Sequence, residues 1–98
     1  MKFIKSKGIT LRKTGEFYFL IDPKLSYNSD EEDIFQTDEI GACIWNSIND
    51  NVDLKTITQK VLSYINDEKT EDLIKTVTND IEEYLQILSY NGLVEVKE

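Results

Sequence analysis

Between Lys69 and Val94 apolar residues return every three or four positions. Val77, Ile81, Tyr84, Leu85 and Leu88 fall on one face of a helix, while Asp80, Glu82, Glu83 and Gln86 fall elsewhere. Thr70 offers a hydroxyl cap, and Glu71 and Asp72 place negative charge at the positive end of the helix dipole, so the helix is expected to start there. Asn91-Gly92 supplies a pair able to enter the left-handed conformation, after which Leu93 can fold back onto the last turn. Val94-Glu95-Val96 follows as a short strand or a tail.

The same reading applied from the start of the chain gives a hairpin. Ile9-Thr10-Leu11-Arg12 and Glu16-Phe17-Tyr18-Phe19-Leu20-Ile21 flank Lys13-Thr14-Gly15, read as a three-residue loop with Gly15 left-handed. That register sets Leu11 opposite Phe17 and Ile9 opposite Phe19, with Ile9, Leu11, Phe17, Phe19 and Ile21 on one face. Asp22-Pro23 ends the second strand, and the polar residues Lys24 to Glu32 form a loop. Asp33 to Thr37 makes a short third strand with Phe35 and Thr37 inward. Asp38 caps a helix whose apolar stripe is Ile40, Cys43, Ile44 and Ile48, with Trp45 at its border. Asp53 caps the next, where Leu54, Ile57, Val61 and Ile65 repeat the spacing, and Asn66-Asp67-Glu68 breaks it. Three strands followed by three helices is an α+β order resembling a winged helix, a three-stranded antiparallel sheet ahead of three helices. Residues 1–98 read as a single domain.

Charge and chemistry narrow the function. The net charge of -8 is uneven: up to Lys24 six basic side chains stand against Glu16 and Asp22, and from Leu25 onward five lysines face seventeen acids. The lysines of the first part keep the hairpin soluble, or meet an acidic partner. With no histidine and a single cysteine, neither the usual zinc site nor a His-based triad or Cys-His dyad can be assembled. The densest carboxylate run, Asp30-Glu31-Glu32-Asp33, lacks the ligand spacing and glycine of a calcium loop and reads as a solvated loop. Cys43, set among Ile40, Ala42 and Ile44, is expected to be a buried, inert thiol that forms no internal disulfide. No segment has the run of roughly 20 apolar residues that a membrane span needs, and the chain is expected in the cytoplasm, without a cofactor.

Thr37-Asp38-Glu39-Ile40-Gly41-Ala42-Cys43-Ile44-Trp45, followed by Asn49-Asp50, resembles the "LNEVGALIW...DG" signature of the PqqD-like family. Asp53, Leu54 and Ile57 resemble its next segment, and Val77, Asp80, Ile81, Tyr84, Leu85, Leu88, Gly92, Leu93 and Val94 its "V..DV..FL..L...GL" pattern. The likeness spans about two-thirds of the chain in unbroken element order. Thr37 and Asp38 depart from the family's Leu-Asn, although Asp still serves as a helix cap.

The resemblance implies a non-catalytic recognition element for ribosomally made, post-translationally modified peptides. Such a module captures the leader segment of a precursor by β-strand addition and presents it to a tailoring enzyme, by family analogy a radical SAM maturase. Carried onto this chain, the peptide-binding edge is Ile34, Phe35, Gln36 and Thr37, and the helical side is drawn from Leu73, Val77, Asp80 and Tyr84. Asp80, a carboxylate beside an apolar stripe, either caps a backbone amide or faces a partner's donor. The acidic run before the edge strand implies a leader with basic residues at that end, or a loop that swings away from it. The chain is expected to act alone or as a homodimer. The rival reading is a winged-helix DNA-binding regulator. Charge opposes it, because from Lys69 to Tyr90 two lysines stand against five acids where a recognition helix would meet phosphates.

Overall fold

The three helix starts foreseen in the sequence are built as side-chain caps. Asp38 Oδ1 accepts the Gly41 amide at 2.7 Å, Asp53 Oδ1 accepts that of Thr56 at 2.8 Å, and the Thr70 hydroxyl accepts that of Leu73 at 3.1 Å. Each satisfies an amide that has no partner inside the helix. They open α1 (Glu39–Ser47), α2 (Leu54–Tyr64) and α3 (Glu71–Tyr90). The computed structural model describes residues 2–22, 34–65 and 68–97. The loop expected over 24–32, its Pro23 boundary, the acidic run 30–33 and the break at Asn66-Asp67 lie outside the described residues.

The long helix closes as its sequence demands. Gly92 takes φ 74°, its amide bonds the Ser89 carbonyl at 3.0 Å, and the Leu93 amide reaches back to the Leu88 carbonyl at 2.9 Å. This is a Schellman cap, with Leu93 buried against the helix it ends. Ile81, Leu85 and Leu88 are fully buried, while Val77 and Tyr84 lie half-buried beside them.

Two three-stranded antiparallel sheets precede and flank the helices. In the first, β2 (Thr10–Thr14), β3 (Phe17–Ile21) and β4 (Ile34–Thr37) lie in chain order, and with the three helices they form the expected α+β winged-helix-like arrangement. The hairpin register differs from the sequence reading. Thr14 pairs with Phe17 and Leu11 with Leu20, so the connection is the two-residue turn Gly15-Glu16 with Gly15 at φ 64°. Glycine at the first central position with positive φ is what a type II′ hairpin requires. The shift moves β3 by an odd number of residues and exchanges its faces. Leu11, Leu20 and Phe35 now form one row across the sheet, with Leu20 fully buried, while Phe17 is 53% exposed. Phe35 and Thr37 face inward, as expected.

The second sheet was not foreseen beyond its last member. Its order is β5-β1-β6, with β1 (Lys2–Lys5) between β5 (Val52–Asp53) and β6 (Val94–Lys97). Phe3 lies opposite both Val52 and Val96 and is buried, and Lys5 lies opposite Val94. The Lys5 ammonium also sits 5.0 Å from the centre of the Trp45 ring, where burial lowers its pKa from the ordinary lysine value. Trp45 belongs to the core and not to its border: Ala42, Ile44, Trp45 and Ile48 are buried, and Ile40 is 37% exposed. Cys43 is only partly covered, and burial pushes its thiol up, which disfavours the reactive thiolate. Among the described residues no helix is long and apolar enough to cross a membrane.

The register makes a direct prediction. Leu20→Ala should lower unfolding stability in urea by about 2–5 kcal/mol, because it empties a fully buried site. Phe17→Ala should cost under about 1 kcal/mol. The reverse order would restore the longer-loop register.

Candidate functional site

β4 is an edge strand. It pairs with β3 on one side, and among the described residues no strand lies on its other side. Along an edge, alternate residues turn their amides and carbonyls outward, a ready template for another strand. The last two residues of β4, Gln36 and Thr37, share with α3 a groove of about 750 Å³.

The groove is built in three tiers. Its floor is core, formed by Gly41, Ile44, Val61 and Ile81, all buried. Its walls are half-covered or exposed apolar groups: Phe17 from β3, Ile40 from α1, Ile65 after α2, and Val77 and Tyr84 from α3. Its rim is polar, with Glu16 on the hairpin turn, Gln36 on β4, Asp38 at the start of α1 and Asp80 on α3.

One contact sets how far β4 stands from α3. The hydroxyls of Thr37 and Tyr84 share a hydrogen bond across the groove, and the Phe35 ring meets the Tyr84 ring edge-on, with centroids 6.2 Å apart at 73°. Burial raises the Tyr84 hydroxyl above the ordinary tyrosine range, partly offset by the Thr37 bond, so it stays protonated near neutrality. Gly41 makes room for this pair. A Cβ there would stand 1.8 Å from Thr37 Oγ1 and 2.6 Å from the Tyr84 hydroxyl oxygen.

Five of the residues proposed from the sequence, Gln36, Thr37, Val77, Asp80 and Tyr84, line this groove together. Phe35 stands behind it and steadies Tyr84. Leu73, in the first turn of α3, is half-buried and is not part of the lining, and Ile34 contributes the start of the edge strand, opposite Ile21. Sequence reasoning missed the opposite wall. The strand and helix periodicities place Phe17 and Ile40 in the core and Ile65 in an ordinary helix stripe, whereas all three line the groove. The isolated glycine inside an apolar helix was the available signal, since Gly41 marks a close approach of neighbouring groups.

The chain thus presents a winged-helix-like α+β fold whose edge strand and last helix enclose an apolar groove. The same fold occurs in the solved structure of TbiB1 in complex with the TbiA(beta) leader peptide. That structure matches with a TM-score of 0.68 over 97% of this chain and 98% of the other, at 17% sequence identity. No protein-family model matches the chain, and no curated protein matches it in sequence.

The Thr37–Tyr84 bond should be measurable. In a urea double-mutant cycle, Thr37→Val and Tyr84→Phe should show a coupling of about 1 kcal/mol, and a coupling near zero would mean that the two hydroxyls act independently. Gly41→Ala should cost about 1–3 kcal/mol by forcing Thr37 out of its place.

Proposed function

We propose that the protein is a peptide-recognition module of the PqqD-like kind, which captures the leader segment of a ribosomally made precursor and holds it for a modifying enzyme. One observation carries this reading: β4 has an unpaired edge among the described residues, and its Gln36 and Thr37 line an apolar groove that it shares with α3. Strand addition to such an edge supplies main-chain hydrogen bonds for general affinity, and the groove supplies side-chain selectivity. The likeness of fold to TbiB1, a protein seen with a leader peptide, supports the same reading.

In this proposal the peptide contacts Ile34, Phe35, Gln36 and Thr37 through their main chain and Val77, Asp80 and Tyr84 through their side chains. Leu73 adds to the open end of α3. The chain acts as one non-catalytic domain in the cytoplasm, alone or as a homodimer and without a cofactor, and the partner enzyme is a radical SAM maturase. DNA binding is disfavoured by the acidic surface of α3, which carries Glu71, Asp72, Asp80, Glu82 and Glu83.

The test is a titration of the isotope-labelled protein with the leader of a precursor encoded beside it, following backbone amide shifts. Saturable shifts concentrated at Ile34 to Thr37 and in the first half of α3 are expected. Shifts confined to the β2-β3 hairpin would move the site. No shifts with a leader that the partner enzyme requires would remove the function.

A further inference from the structure

We propose that the groove selects a basic strand: an extended peptide segment with one large apolar side chain and a Lys or Arg two residues away from it. This rests on the reading of the groove as a strand acceptor and adds the chemistry of what it accepts. The carrying observation is the charge of the lining. Glu16, Asp38 and Asp80 all border the groove, all three are exposed, and among the described residues no lysine or arginine lines it. They come from three separate elements, a hairpin turn, a helix cap and α3, so their convergence belongs to the fold and not to one acidic stretch of sequence. Asp38 uses one oxygen on the Gly41 amide and keeps the other for a partner.

The apolar half of the match lies directly beside these carboxylates. Phe17 is 53% exposed and Ile40 is 37% exposed, large side chains that an occupant would cover. In an extended strand, residues two apart point to the same side and lie roughly 6.5–7 Å from each other. An apolar anchor reaching the floor at Ile44 and Ile81 therefore has its second neighbour on the same, groove-facing side, which the carboxylates border. A lysine or arginine there lays its methylene stem along Phe17 or Ile40 and leaves its charge at the acids. An acidic residue in that place meets like charge at the border of the groove.

Exposed ion pairs are individually weak, each worth at most a few-fold in affinity. Three acting together should favour a basic strand over its acidic counterpart by about tenfold at low salt. The advantage should shrink as salt is raised, because the rim is solvated.

A random peptide display library selected on the full chain, followed by amide shifts with the enriched peptides, tests this. Enriched sequences should carry Lys or Arg two residues from a large apolar residue and should shift the amides of Ile34 to Thr37. Changing that basic residue to Glu should weaken binding about tenfold, and the double variant Glu16→Lys/Asp80→Lys, checked for folding by circular dichroism, should erase the difference. Peptides that shift the β4 amides but show no basic preference would overturn the charge selection and leave strand capture standing. Failure to enrich any peptide that shifts β4 would overturn strand capture itself, and the selection with it.

Discussion

The molecule depends on how one helix divides its surface. Ile81, Leu85 and Leu88 of α3 are buried to the last few percent, and this stripe joins the three helices to both sheets in one apolar core. Val77 and Tyr84 stand on the same helix but at the margin of that stripe, half-covered. A helix whose apolar band is wider than the core it meets must leave its edge against something else. Here the edge looks across to β4, and the space between is the groove. Core packing and site geometry are therefore set by the same twenty-residue element.

That coupling explains the small set of groups between α3 and β4. Tyr84 is anchored by a hydroxyl on one strand residue and by the ring of another, and Gly41 yields the space both need. Side chains held by packing and hydrogen bonding lose less freedom when a ligand arrives, so a groove of this kind is pre-organised. The rim differs in character. Glu16, Gln36, Asp38 and Asp80 are exposed, and on the proposed reading they would discriminate among occupants more than add affinity.

Much of the fold could be read directly from local chemistry. Asp38, Asp53 and Thr70 announce helix starts because the capping bond is made within three residues, and Asn91-Gly92-Leu93 announces a stop for the same reason. What stayed hidden was set over distance. Lys2-Phe3-Ile4-Lys5 is too short and too charged to declare a strand, and its partners Val94 and Val96 lie at the far end of the chain. The hairpin register turned on which of Phe19 and Leu20 faces the core, a choice made by Leu11 and Phe35 across the sheet and by the backbone demand of Gly15. The site was half legible for a similar reason: periodicity marked Val77 and Tyr84 as apolar helix positions, but only the assembled fold brings Phe17, Ile40 and Ile65 round to oppose them.

The pairing of β1 with β6 has an architectural consequence. Lys2 lies opposite Lys97, so the backbone comes in and goes out on adjacent strands of one small sheet. The clasp is mutual: Phe3 on β1 and Val94 on β6 are both buried, so withdrawing either strand would uncover the other and open the core from that side.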